Sequence, residues 1–158
     1  MTTDTLAPPL ASRRLTAETL ANMRRFIGPV QMAVLQLAMR GEEKRFFIDK
    51  LAELAARIDG MPKTYETDGQ GDQAVAHLHY FKNGADWYIT EKDMGAADDE
   101  VPGAQHQAHG LAFIFSDDQH GEHGYISIVE LLSHRVELDL HFVPRTLEEV
   151  RAMRAVRA

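Results

Sequence analysis

At 158 residues, with 44% hydrophobic and 26% charged content, the chain has the composition of one folded domain and not of a disordered tail. Its formal net charge of −7, from 17 basic against 24 acidic residues, argues against a surface built to neutralise phosphates. Direct nucleic-acid binding is therefore not expected, a basic protein surface is the better electrostatic partner, and the lack of cysteine excludes disulfides and thiolate metal sites and makes a cytoplasmic home simplest.

Residues 1–14 carry Pro8, Pro9, Arg13 and Arg14 without a long apolar run, and are expected to be a flexible leader and not a secretory signal. From Leu15 to Gly60 helix formers dominate, and Gly28-Pro29, Gly41 and Gly60 with Pro62 divide the region into about three helices. In the last of these, Phe47, Leu51, Leu54 and Ile58 share one face, away from Glu43, Lys50, Glu53 and Arg57. In the central one, Val30, Val34, Leu37 and Ala38 line one side while Met32, Leu35 and Met39 widen it. That width predicts a sandwiched helix or one that meets a partner, including a second copy of the chain. The apolar run Val30 to Met39 is too short to cross a bilayer, so no membrane span is expected.

Thr64 to Gln73, with Gly69 and Gly71, reads as a loop joining this helical half to a sheet half over residues 74–158. The period then changes to two. Ala74–Phe81 and Asp86–Glu91 flank Asn83-Gly84, which predicts a type I′ hairpin with Tyr80 opposite Trp87, His79 opposite Tyr88 and Leu78 opposite Ile89. Leu78, Tyr80, Trp87 and Ile89 then form the core face; His77, His79, Tyr88, Thr90 and Asp86 form the other. After a polar loop from Lys92 to Gln107, Gly110–Phe115 reads as a strand buried on both sides, and Ser116–Gly124 as a second loop. Tyr125 and Ile126 resume a strand before Ser127-Ile128-Val129-Glu130, a capping box opening a short helix to Ser133. Val136, Leu138, Leu140 and Phe142 alternate with Glu137, Asp139 and His141 as in a half-exposed strand. Thr146-Leu147-Glu148-Glu149 opens a terminal helix whose Arg151, Arg154 and Arg157 complement its dipole. The expected fold is α+β: a helical segment packed with an antiparallel sheet of about four to five strands in a single domain.

The blocks Asp86-Trp87-Tyr88-Ile89-Thr90-Glu91-Lys92-Asp93, Gly124-Tyr125-Ile126-Ser127-Ile128-Val129-Glu130-Leu131 and Val136-Glu137-Leu138-Asp139-Leu140-His141-Phe142, followed by Pro144 and Thr146-Leu147, carry a resemblance. In order and spacing they resemble the small plasmid- and phage-borne proteins catalogued as domain of unknown function 2958, over residues 75–150. The chain departs from that pattern where His109-Gly110-Leu111 replaces the usual Phe-Phe-Gly. The resemblance implies cargo of a mobile element that acts on a host system. It supplies no catalytic residues.

Several candidate sites follow from residue chemistry. His77 and His79, two apart on a strand, share a face and would start a zinc or other divalent-metal site, with His141, Asp86 or Glu91 as further ligands and Glu91 or Asp93 as general base. The same spacing arises by chance on exposed sheet faces, and the loop pairs His106/His109 and His120/His123 have no fixed register to it. Asp93, Asp98, Asp99 and Glu100 on one loop and Asp117, Asp118 and Glu122 on the next are expected at the same end of the sheet. There they would act as an acidic binding surface or serve as solvated loops. Tyr88, on the His face, is the aromatic expected to contact a partner. There is no P-loop, since Gly69-x-Gly71 lacks the following Lys and Ser/Thr, and no Gly-x-Ser-x-Gly elbow. The leading expectation is an accessory protein of a phage or plasmid that binds a host or element protein, with anti-CRISPR or antirestriction activity as its specific form. The alternatives are the metal-dependent enzyme and a purely structural, self-associating module.

Overall fold

The computed structural model describes residues 15–156; the expected leader over 1–14 and Arg157 of the terminal basic run lie outside the described residues. The three N-terminal helices form where Gly and Pro punctuate the sequence: α1 (Ala17–Met23), α2 (Pro29–Ala38) and α3 (Lys44–Asp59). Thr16 caps α1 by accepting from the Thr19 amide (3.0 Å), and Pro29 opens α2 at a position where no amide donor is needed.

The sheet half begins with β1 (Val75–Ala76), β2 (Leu78–Lys82) and β3 (Ala85–Glu91). Asn83 (φ 49°) and Gly84 (φ 83°) both adopt the left-handed conformation, giving the type I′ geometry, and the pairing is Tyr80 with Trp87, His79 with Tyr88 and Leu78 with Ile89, as expected. Then follow β4 (Ala108–Phe113), β5 (Glu122–Ile126), α4 (Ile128–Ser133), β6 (Glu137–Leu138), β7 (Arg145–Thr146) and α5 (Leu147–Val156). The main sheet is antiparallel in the order β5-β4-β3-β2-β6, and β1 and β7 form a separate two-stranded ladder. The fold is α+β, with helices concentrated in the N-terminal part and the sheet in the C-terminal part. Among the described residues no helix is long and apolar enough to cross a membrane.

Both faces of the sheet are covered. On one, Met23, Phe26, Met32, Leu35, Leu51, Leu54 and Ile58 from α1–α3 and the turn after α1 pack with Leu78, Tyr80 and Ile89. Tyr80 is fully buried there; its phenol donates to the Phe26 carbonyl (2.5 Å), and burial pushes its pKa above the ordinary tyrosine range. On the other face Tyr88, Leu111, Phe113 and Phe142 meet Leu147 and Val150 of α5. The face expected to carry a metal site or a partner contact is therefore a second, smaller core, which explains why nearly every residue of β3 is buried.

Three expectations are corrected. The buried side of α2 is Met32 and Leu35, while Val30, Val34 and Leu37 are 59%, 61% and 69% exposed. Gln31 decides this orientation: its amide donates to the Leu138 carbonyl (2.8 Å) and accepts from the Leu138 amide (3.0 Å), fixing which side meets the sheet. The strand expected at Gly110–Phe115 runs Ala108–Phe113 instead; the Phe115 carbonyl accepts the Asp118 amide (3.0 Å) in a turn, and Ile114 and Phe115 are exposed. The strand expected at Val136–Phe142 stops at Leu138. Asp139 turns the chain there by accepting the His141 amide on its carboxylate (3.0 Å), so Phe142 is delivered to the opposite core from Leu138.

Gly110 and Gly124 face one another across β4 and β5 under different constraints. A Cβ on Gly110 would lie 1.8 Å from the Tyr88 carbonyl oxygen, beside the register shift between Ile89 and Glu91; one on Gly124 would meet nothing within 4 Å. Gly110→Ala is expected to destabilise the protein by about 3 kcal/mol or more. Gly124→Ala should be neutral or raise stability by up to about 1 kcal/mol. Urea denaturation of the two variants checks this, and equal effects would show that the crowding at Gly110 is absent in solution.

Candidate functional site

The register of the β2–β3 hairpin places His79 directly across from Tyr88 and diagonal to Asp86. The imidazole stacks on the Tyr88 ring at a centroid distance of 4.5 Å and 7° between planes. Its Nε2 lies 2.7 Å from Asp86 Oδ1, and its Nδ1 lies 3.0 Å from Asp139 Oδ2. The other oxygen of Asp86 accepts from Arg154 Nη1 at 2.7 Å. Arg154 also donates to the carbonyls of Asp118 (2.5 Å) and Phe115 (2.8 Å), with its guanidinium 4.1 Å from the Phe113 ring centroid. These groups border a cleft of about 480 Å³ whose rim includes Phe81, Ser116 and Gln119.

Burial opposes the charge of Asp86, but hydrogen bonds from His79 and Arg154, and their attraction, outweigh it and hold its carboxyl below the usual carboxylate range. The constellation is thus a chain of polar contacts from Asp139 through His79 and Asp86 to Arg154. Both His79 nitrogens are directed at carboxylate oxygens, Nε2 at Asp86 and Nδ1 at Asp139. His77 does not complete a ligand set with it: among the described residues no three His, Asp or Glu side chains are disposed to hold a metal ion. Burial, and secondarily the Arg57 charge, lower the His77 pKa. The zinc or other divalent site expected on His77 and His79 is therefore not assembled by this geometry.

Glu91 is also committed. Its oxygens accept from the backbone amides of Tyr65 (2.8 Å) and Thr67 (3.0 Å) and from the Thr67 hydroxyl, which anchors the 64–70 turns to β3. Burial raises its pKa, but these donors prevail and the net shift is downward, contrary to what a general base near neutrality requires. Asp93 accepts from the Gly95 (2.8 Å) and Gln107 (3.0 Å) amides and so pins the two ends of its loop together.

The acidic residues do not gather. Asp93, Asp98, Asp99 and Glu100 lie in the β3–β4 connection, whereas Asp117 and Asp118 lie in the β4–β5 connection, and successive antiparallel connections occupy opposite ends of a sheet. Glu122 is the first residue of β5 and not part of a loop. Asp98, Glu100, Asp117 and Glu122 are exposed. Asp99 accepts from the Ala96 amide, and Asp118 from those of Gly121 and His120, the Gly121 bond leading in lowering its pKa. Tyr88 is 8% exposed, packed among His79, Phe113 and Phe142, so it is a core residue and not a partner contact.

Arg154 and Asp139 are the network members that sequence reasoning missed. Arg154 fitted a dipole-complementing terminal run and Asp139 an outward strand position, and only the docking of α5 and the turn at Asp139 bring them to His79 and Asp86. The diagonal placement of Asp86 and His79 was available from the hairpin register. Comparison with known protein families, curated proteins and solved structures found no match.

Because Asp86 has a lowered folded-state pKa, its contribution to stability is present above about pH 4 and is lost as pH falls through that lowered value. Asp86→Asn leaves Arg154 with a buried, uncompensated charge and is expected to cost about 3 kcal/mol at pH 7 and to shrink the acid-induced loss of stability. Urea titrations of both proteins from neutral to acid pH test this; equal stability at pH 7 would remove the network from the account.

Proposed function

We propose that this chain is a mobile-element accessory protein that acts by binding a host or element protein, as an inhibitor of a defence system of the CRISPR or restriction kind. The observation that carries the reading is the internal saturation of its convergent polar groups. His79, Asp86, Asp139 and Arg154 use their polar atoms on one another and on backbone carbonyls, and Glu91 is committed to a turn, which favours binding over catalysis. The resemblance over residues 75–150 and the net charge of −7 support the same reading.

The separation of the acidic residues narrows the surface. Asp98, Asp99 and Glu100 cluster in the long β3–β4 connection, and a basic partner surface would meet this end. Immobilised chain incubated with host lysate, with and without chelator, should capture one saturable complex in both conditions. Reversing Asp98, Asp99 and Glu100 to Lys together should weaken capture about tenfold or more, while Asp117→Lys at the opposite end leaves it unchanged. A chain that binds no host complex and leaves restriction and CRISPR interference unaffected would overturn the proposal.

A further inference from the structure

The two edges of the main sheet are treated differently. At the β6 edge, the Gln31 side chain pairs with both backbone groups of Leu138 as a neighbouring strand would (2.8 and 3.0 Å), so that edge is closed from within the chain. At the β5 edge, among the described residues, no backbone or side-chain group pairs with the outward-facing amides and carbonyls of Glu122–Ile126. The strand is short and begins with Glu122, but it contains no Pro, no Lys and no register shift to keep another strand away.

Gly124 sits at its centre. Its φ is not positive and a Cβ would meet nothing within 4 Å, so the fold of one chain gives no reason for a residue that weakens a strand. Glycine within a strand often marks the close approach of another backbone.

We propose that β5 is a self-association edge, at which a second copy of this chain pairs antiparallel about Gly124 and joins the two sheets into one. The sequence Glu122-His123-Gly124-Tyr125-Ile126 is self-complementary in that register. Gly124 faces Gly124 of the second copy, His123 faces its Tyr125, and Glu122 faces its Ile126, so no like charges are opposed. The His–Tyr pairing repeats one already made within the chain, where His109 of β4 lies opposite Tyr125 with ring centroids 5.7 Å apart at 89°. Tyr125 and Tyr65, hydroxyl-bonded at 3.1 Å and 55% and 63% exposed, flank the edge and supply apolar area to bury. A strand this short gives a small interface and therefore a concentration-dependent dimer in the micromolar range. This surface is separate from the acidic β3–β4 connection, and the inference stands without the functional proposal.

Sedimentation velocity on the full chain from low to high micromolar concentration tests it. The expected result is a reversible dimer. His123→Lys with Tyr125→Lys places two cations opposite one another and should weaken it about tenfold. His123→Lys with Tyr125→Glu, which opposes unlike charges, should retain it, and circular dichroism confirms that both variants fold. Because the chain has no cysteine, Gly124→Cys is a single-thiol probe that a short bis-maleimide should cross-link between copies. A chain monomeric throughout overturns the proposal and leaves the edge to an extended segment of another protein. A dimer insensitive to the double-Lys variant overturns it in favour of another face, such as Val30, Val34 and Leu37.

Discussion

The ion pair between Arg154 and Asp86 is the constraint on which the second side of this protein depends. It joins the terminal helix to the central strand of the sheet, and it does so beneath the aromatic layer of Tyr88, Phe113 and Phe142. A buried pair of this kind adds little net stability compared with a well-packed apolar substitute, because both charges lose their water. Its value is specificity. Arg154 has three separate acceptors, two of them carbonyls at the end of β4 and in the loop beyond, so α5 can dock in one orientation only.

That docking has consequences for the rest of the fold. The Phe115 carbonyl accepts from both Arg154 and the Asp118 amide, so the chain beyond β4 is held in a turn against α5. The same loop is fastened by Asp118 and, through Arg151, by a donation to the His120 carbonyl. On the opposite face, Gln31 performs a comparable task for α2 by substituting for a missing strand beside Leu138. Polar side chains that mate with backbone groups thus set the position of both helical layers, while the apolar clusters supply the driving force without fixing direction.

This economy of polar groups bears on function. His79 lies between Asp86 and Asp139, and Asp86 in turn holds Arg154, so these groups tie β2, β3, α5 and the turn at Asp139 together. Elsewhere the surface carries separated charge, an open strand edge and scattered exposed apolar side chains, and these are the features on which the binding proposal rests.

Local chemistry was legible in the sequence. Asn83-Gly84 dictated the hairpin and its register, because both residues tolerate positive φ; Gly28-Pro29 and Gly41 separated the helices; and Thr146 with Glu149 formed its reciprocal cap. The split of β2 and β3 into an apolar face and a His, Asp and Tyr face was also readable, since side chains alternate with period two. What that second face meets was not, because alternation reports polarity and cannot say whether a later helix will cover it. The burial of Tyr88, the exposure of Val30, Val34 and Leu37, the turn at Asp139 and the union of Arg154 with Asp86 were decided by tertiary structure. Each depends on a contact between segments far apart in the chain, and such contacts leave no local period to read.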